Sequence, residues 1–249
     1  MTEIELIVGL HKTTERQGPG SVENTLRALE LTDLPKGKTL KIADIGCGTG
    51  GQTLTLAQNM EAEITAVDLF PEFLEILDRN AGKAGLQDKI KTVAGSMDSL
   101  DFAKESLDLI WSEGAIYYMG FERGIKLWRQ FLKPEGFLCV SEMTWITDSR
   151  PTKIEELWNT EYPEIDRAWN KIRVLENNGY TLVGYFILPP ASWIQNYYQP
   201  LEQQFEAFLG LHGHSELAMQ VVESYREEIS LYRKYKAYYS YGFYIARKV

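Results

Sequence analysis

The chain has 249 residues, of which 44% are hydrophobic and 24% charged, with a net charge of −9 and an isoelectric point near 5.0. That length accommodates one large α/β domain with an appendage, or two small domains. The acidic balance argues against a nucleic-acid backbone or an anionic lipid surface as partner.

Cysteine and histidine usage gives no indication of a disulfide or a metal site. The chain has two cysteines and three histidines, which do not cluster. Cys47 lies in a glycine-rich loop and Cys139 in a predicted core strand, so two free buried thiols are expected. No apolar run approaches the roughly 20 residues of a membrane span, and residues 1–5 lack a signal peptide's basic start. We therefore expect a cytoplasmic protein without a metal.

Two helices are predicted before the first strand. Residues 3–11 are typical of a short helix, and Ser21 is placed to cap a second helix over residues 22–31. Gly18 and Gly20 flank a proline just before that cap. Taken alone, this segment predicts a turn and a helix cap.

A glycine-rich loop then follows the first predicted strand. The apolar run at residues 41–45 leads into four glycines within six positions and then into a helix that ends near residue 60. Glycines are needed where a strand turns sharply into a helix and where a ligand approaches closer than a Cβ would allow. Gly46, Gly48 and Gly50 are therefore candidate ligand-binding residues. An ordinary turn would show the same pattern, because a bare G-x-G-x-x-G motif is a weak signal.

Two acids give the loop a more specific interpretation. Asp68 ends the next apolar strand, where such folds place an acid on ribose hydroxyls. Asp44 precedes the first glycine by two residues, where an extra negative charge would disfavour a pyrophosphate. A ligand with an ammonium group would instead gain a charge-assisted hydrogen bond. S-adenosylmethionine has ribose, adenine and an ammonium but no phosphate, so the two acids favour it over NAD.

Residues 38–143 resemble the class I S-adenosylmethionine-dependent methyltransferases. Within that family they are similar to the small-molecule branch that includes the ubiquinone/menaquinone C-methyltransferases. The resemblance rests on the loop at 44–51, on Asp68, and on the Pro-x-Gly turn at 134–136 before the fifth strand. It implies S-adenosyl-L-methionine as cofactor and a small molecule as methyl acceptor.

The resemblance also implies further cofactor contacts. Leu69 would lie against the adenine or the ribose. Ser96 and Met97 would bind the adenine, at a position where family members often show Gly-Asp-Ala. Gly18 and Ser21 would supply donors to the methionine carboxylate.

Candidate catalytic residues follow from the ends of the strands. Ligands of open α/β sheets bind at the carboxyl ends of the strands. Glu113 and Tyr117, which follow the fourth strand at 106–111, should therefore face the sulfonium and the acceptor. Glu113 is a candidate base and cofactor contact, or alternatively a hydrogen-bonded loop acid. Tyr117 and His11 are candidate bases as well, and the remaining candidates are Glu142, His212 and His214.

We predict an α/β fold with a Rossmann-like, doubly wound sheet of seven strands, mostly parallel with the last strand antiparallel, and a helical cap. Residues 1–35 would cover the cofactor site, and residues 36–192 with 239–249 would form the core. Residues 193–238 read as a helical insertion whose aromatic side chains form either core or a lid. A helix is expected over 165–178, and strands over 180–188 and 240–246.

The predicted function is methyl transfer from S-adenosylmethionine to a small-molecule acceptor by in-line displacement, with the methylated atom left open. An NAD(P)-linked Rossmann oxidoreductase and a non-catalytic S-adenosylmethionine-binding module are the alternatives. No nucleic-acid or membrane partner is expected, and the sequence leaves open whether the protein forms oligomers.

Overall fold

The computed structural model describes residues 1–35 and 37–249, so the predicted domain boundary at residue 36 lies outside the described part. The described residues form one mixed sheet with helices on both faces. The strands are β1 Leu40–Ile45, β2 Ala62–Asp68, β3 Ile90–Ala94, β4 Leu107–Ser112, β5 Leu132–Trp145, β6 Asp166–Arg167, β7 Tyr180–Ile187 and β8 Tyr239–Lys248.

The first two helices end within one residue of the predicted bounds, and the described ranges contain eleven α-helices. They are α1 Glu3–His11, α2 Val22–Glu30, α3 Gly51–Asn59, α4 Pro71–Ala84, α5 Phe121–Trp128, α6 Thr152–Glu161, α7 Ala168–Asn177, α8 Pro190–Trp193, α9 Gln199–Glu202, α10 Phe205–Leu211 and α11 Glu216–Tyr235. Residues Ile194–Tyr198, between α8 and α9, form a π-helical turn. No helix in the described ranges is both long and apolar enough to cross a membrane.

The strand order is β3-β2-β1-β4-β5-β8-β7, and the two-residue β6 pairs with the end of β5. The strands from β3 to β5 are parallel, whereas β8 runs antiparallel to both β5 and β7. The predicted Rossmann-like sheet with an antiparallel last strand is therefore confirmed. β6 is an eighth, very short strand that the sequence did not indicate.

Two of the predicted bounds were wrong for physical reasons. β5 begins at Leu132, before the predicted turn, because Leu132 pairs with Leu107 and Phe137 with Leu109. The residues between them form a bulge, in which Glu135 has a φ of 62°. The helix expected from residue 165 begins at Ala168, because the two preceding residues pair with β5.

Alternation along the strands creates two cores. Cys139 and Met143 of β5 face the side covered by α1 to α4 and the helices between β7 and β8. Leu138 and Val140 face the opposite side, covered by α5 and α7. Both cysteines are free and buried, as expected.

The insertion between β7 and β8 joins the first of these cores. Trp193 is 3% exposed and its ring stacks on Tyr232 at 4.5 Å between centroids. Its indole N–H donates to Ser240 Oγ of β8 at 2.8 Å. This packing favours the core interpretation of the aromatic residues, and the division into core and lid stays a prediction.

Candidate functional site

The glycine loop between β1 and α3 has a backbone that side chains would not tolerate. Gly46, Gly48 and Gly50 have φ values of 73°, 56° and 87°, all in the left-handed region. A Cβ on Gly46 would collide with Ala115, and one on Gly50 would collide with the Leu77 side chain. The loop therefore packs closely against the segment after β4 and against α4.

Asp44 lies near the carboxyl end of β1, beneath this loop, and is completely buried. Its carboxylate accepts hydrogen bonds from Thr53 Oγ1 at 2.5 Å and Gln52 Nε2 at 3.4 Å, both in α3. It forms no ion pair with a basic side chain in the described ranges. Burial, together with the nearby Glu113 and Asp68 charges, raises the pKa of Asp44 to about 7, against the hydrogen bonds from Thr53 and Gln52 that lower it.

Asp68 ends β2 and ties the glycine loop to the start of the next segment. Its carboxylate accepts from the Gly48 N–H at 2.8 Å and from the Phe70 N–H at 3.0 Å. The residue is 8% exposed, and burial raises its pKa. Each oxygen accepts one of these bonds, which leaves further lone pairs for ligand hydroxyls.

The predicted adenine contacts lie on the same rim of the sheet. Leu69 directly follows Asp68 and is 61% exposed. After β3, Ser96 Oγ accepts from the Asp98 N–H at 3.2 Å, and the Met97 carbonyl accepts from the Trp128 indole at 3.0 Å. Leu69 thus follows β2, and Ser96 and Met97 follow the neighbouring parallel strand β3, so their contact with adenine stays a prediction.

Glu113 has different surroundings from those expected of a base. Both of its oxygens accept hydrogen bonds: Oε2 from Arg16 at 3.0 Å, and Oε1 from Thr25 at 2.7 Å and the Trp111 indole at 2.9 Å. The Arg16 and Glu113 side chains are only 8% and 4% exposed. A carboxylate held in this way is poorly placed to remove a proton. It is well placed to anchor the segment that carries Arg16 and Thr25.

The segment between α1 and α2 lies across the glycine loop. Gln17 Oε1 accepts from the Thr49 N–H at 2.7 Å, and the Asn196 amide donates to the Gly20 carbonyl at 2.8 Å. Ser21 Oγ accepts from the Asn24 N–H at 3.1 Å and so caps α2. Gly18 has no other atom within 4 Å of its would-be Cβ.

Sequence reasoning missed Arg16 and Gln17, which join this segment to the site. Arg16 is separated by 97 positions from Glu113, and Gln17 by 32 positions from Thr49. No local spacing links residues so far apart. Nothing in the sequence indicated that these two side chains are buried, because arginine and glutamine usually lie at the surface.

The other candidate bases lie in three places. Tyr117 lies on the turn after β4, with its ring 4.2 Å from that of Tyr118, and His11 ends α1 on the same side of the sheet. Glu142 is buried on β5, where Lys171 of α7 pairs with it at 3.0 Å. The other two, His212 and His214, follow α10, and the His212 ring packs against Phe208 with 4.5 Å between centroids.

Solved structures of other proteins superpose closely on this fold. An S-adenosylmethionine-dependent methyltransferase of Geobacter sulfurreducens, solved with S-adenosyl-L-homocysteine, superposes with a TM-score of 0.86 at 16% identity. The superposition covers 98% of each chain. This protein has the class I methyltransferase fold. In agreement, residues 42–136 match the Methyltransferase domain family.

Curated relatives match this methyltransferase fold over part of their length. An uncharacterized methyltransferase of Emericella nidulans, AN0656, is 34% identical over 44% of this chain and 43% of its own. The phosphoethanolamine N-methyltransferase of Plasmodium falciparum is 27% identical over 58% of this chain and 51% of its own. The chain thus spans less than half of the first curated relatives it matches.

The fold does not determine the reaction. The [4+2]-cyclase SpnF superposes with a TM-score of 0.75 at 20% identity, covering 98% of this chain and 92% of that one. The reaction must therefore be argued from the site.

Proposed function

We propose that this protein binds S-adenosylmethionine and transfers its methyl group to a small-molecule acceptor. The observation that carries the proposal is Asp44, a fully buried carboxylate at the end of β1 with hydrogen-bond donors but no basic partner in the described ranges. A buried charge is costly unless a counter-charge compensates for it. The ammonium of the methionine moiety is a counter-charge of the right sign, directly or through one water.

The other cofactor contacts follow from the positions of the neighbouring residues. Asp68 would bind the ribose hydroxyls with the lone pairs that Gly48 and Phe70 leave free. Leu69, Ser96 and Met97 would surround the adenine. The methionine carboxylate would meet the segment that contains Gly18 and Ser21.

The chemistry asks mainly for positioning and exclusion of water. The cofactor supplies an electrophilic methyl group on a sulfonium, and displacement there requires an in-line approach of the acceptor. The buried Arg16–Glu113 pair would hold the segment after α1 over the site. Glu113 also places a carboxylate near the reacting cation, but both of its oxygens already accept hydrogen bonds and are poorly placed to take a proton.

The proposal includes a biochemical class. We assign the protein to the small-molecule branch similar to the ubiquinone/menaquinone C-methyltransferases, supported by the loop at 44–51 and the turn at 134–136. The Plasmodium relative is named for a small acceptor, phosphoethanolamine. The net charge of −9 agrees with a small molecule in preference to a nucleic acid. We propose a cytoplasmic location.

Two other functions compete with this one. An NAD(P)-linked oxidoreductase would place a pyrophosphate beside Asp44, which repulsion disfavours. The non-catalytic alternative has more support, because the superposed SpnF shows that this fold also occurs in a cyclase. Ligand preference distinguishes the oxidoreductase from the main proposal, and turnover distinguishes the non-catalytic binding protein from it.

Turnover is tested by incubating the protein with S-adenosylmethionine and pooled small metabolites and measuring S-adenosylhomocysteine and methylated products by mass spectrometry. We expect acceptor-dependent product that Asp68→Ala strongly reduces. Binding of S-adenosylhomocysteine without product from any pool would favour the non-catalytic alternative. Binding of NAD but not S-adenosylhomocysteine would favour the oxidoreductase.

A further inference from the structure

The last residue of α1 carries a buried polar atom that the protein's own contacts leave unused. His11 is 5% exposed, and its Nε2 lies 2.6 Å from the Tyr225 hydroxyl of α11. Its Nδ1 is buried and has no hydrogen-bond partner within residues 1–35 and 37–249. A buried polar atom without a partner is unfavourable, so a ligand atom that meets it would be favoured.

The position of His11 connects it to both parts of the proposed site. Its carbonyl accepts from Gln17 Nε2 at 3.1 Å, and the same Gln17 side chain accepts from the Thr49 N–H of the glycine loop. Its ring stacks on Tyr197 of the π-helical turn, with 6.0 Å between centroids. π-helical turns occur frequently at functional sites.

Tyr197 in turn leads to the segment after β4, where the acceptor should approach the cofactor. Tyr117 lies on that segment, and Tyr241 of β8 is buried beside it. Burial raises the pKa of Tyr117, and the nearby phenols of Tyr241, Tyr118 and Tyr197 raise it further. These rings come from three separate parts of the chain, and the Tyr241 ring lies 3.2 Å from the place that a Cβ on Gly114, in the segment after β4, would occupy.

The surroundings of His11 keep its imidazole neutral. Burial lowers the pKa of His11 to about 4. The titratable groups packed against it are the phenols of Tyr197 and Tyr225, whose pKa values burial raises, so they stay uncharged over the same range. Such an imidazole is too weak a base to ionise a hydroxyl, but it can accept a hydrogen bond from an amine whose lone pair is already available.

We propose that Nδ1 of His11, with the ring held by Tyr225, accepts a hydrogen bond from the N–H of a nitrogen acceptor and turns its lone pair toward the methyl donor. This inference rests on the proposed function. The acceptor lone pair forms the N–CH3 bond as the C–S bond breaks and its electron pair remains on sulfur. The extra proton of the methylated nitrogen leaves to solvent with the product.

The proposal fixes a tautomer, which nitrogen NMR measures without turnover. The full chain is labelled at its histidine ring nitrogens and saturated with S-adenosylhomocysteine, and the three histidines are assigned with His11→Asn and His214→Gln. We expect the His11 proton on Nε2 from pH 8 to pH 5, and at pH 8 a shift of Nδ1 on addition of trifluoroethylamine, which is neutral there, but not of trifluoroethanol. A proton on Nδ1, or an Nδ1 resonance that trifluoroethylamine leaves unmoved, would overturn the proposal.

Turnover separates this role from a purely structural one. With S-adenosylmethionine and pooled primary and secondary amines, His11→Phe should lower kcat at least tenfold and leave S-adenosylhomocysteine affinity within threefold. His11→Asn, whose amide oxygen can occupy the place of Nδ1, should retain most activity, and the exposed His214→Gln is the matched control. Unchanged kcat in His11→Phe would refute the role of His11, as would methyl transfer in parallel pools of alcohols or carbon acids but in none of the amine pools. If the unmodified protein does not bind S-adenosylhomocysteine at all, the proposed function itself is refuted.

Discussion

Three carboxylates at neighbouring strand ends have distinct surroundings, and these differences define their roles. Asp44 is surrounded by neutral donors, Asp68 by backbone N–H groups, and Glu113 by an arginine, a hydroxyl and an indole. Of these three, only Glu113 pairs with a basic side chain among residues 1–35 and 37–249. Asp44 and Asp68 are therefore the acids with unused capacity for a ligand.

Replacing Asp68 tests the ribose contact. Asp68→Ala should weaken S-adenosylhomocysteine binding by roughly 2–4 kcal/mol, because hydrogen bonds to a charged group are each worth about 1.5–3 kcal/mol. Isothermal titration calorimetry measures the change. An affinity within threefold of the unmodified protein would show that Asp68 only shapes the glycine loop through its Gly48 bond.

The raised pKa of Asp44 makes cofactor affinity depend on pH. The ionised form should bind the ammonium, so ligand binding must expel a proton below pH 7, where Asp44 is largely protonated. With a pKa of about 7, S-adenosylhomocysteine should bind roughly tenfold more weakly at pH 6 than at pH 8. Asp68 and Glu113 are the charged neighbours, and Asp44→Asn is the control that should flatten the profile. A pH dependence that survives in Asp44→Asn would belong to another group.

The same pKa has a consequence for stability without ligand. A carboxylate whose folded pKa is raised favours the fold most below its unfolded pKa, and that contribution is lost as pH rises through the folded value. Ligand-free Asp44→Asn should therefore be more stable than the unmodified protein above pH 7, although it binds cofactor less well.

Among the elements, the segment between α1 and α2 depends on one buried ion pair. Arg16→Ala should destabilise the protein by about 3–5 kcal/mol, because it leaves Glu113 buried without its counter-charge. Urea unfolding measures the loss. The double variant Arg16→Ala with Glu113→Gln should recover much of it. Equal losses in the single and double variants would mean that the charge pairing itself matters little.

The insertion between β7 and β8 is tested as core or lid by one tryptophan. Trp193→Ala should cost about 3–5 kcal/mol of unfolding free energy, because the ring is buried against Tyr232 and bonded to Ser240. Leu211→Ala in α10, where the side chain is 80% exposed, is the matched control. A loss below about 1 kcal/mol for Trp193→Ala would support a loosely attached lid.

Local patterns predicted most elements, because caps, glycines and alternation act over a few residues. Ser21 caps α2 as its position indicated, and the glycine loop turns as its composition required. The start of β5 and the short β6 depend on strand partners far along the chain, which no local pattern contains. The same limit explains why Glu113 read as a candidate base: its partner Arg16 lies 97 positions away.

At the level of the whole molecule, the fold is that of class I methyltransferases, and the ligand remains to be measured. The antiparallel β8 between β5 and β7 replaces the second nucleotide-binding half of a dinucleotide-binding fold. Fold relatives include both a methyltransferase and a cyclase. The central claim is therefore the match between Asp44 and an ammonium-bearing cofactor.

The most direct test is calorimetry of S-adenosylhomocysteine, adenosine and NAD with the unmodified protein and with Asp44→Asn. S-adenosylhomocysteine should bind the unmodified protein best and lose roughly tenfold to a hundredfold in the variant, as an ammonium without its counter-charge costs about 1–3 kcal/mol. Adenosine, which lacks the ammonium, should bind both proteins about equally. The account would be contradicted if Asp44→Asn improved NAD binding over S-adenosylhomocysteine, or if the variant lost adenosine as severely as S-adenosylhomocysteine.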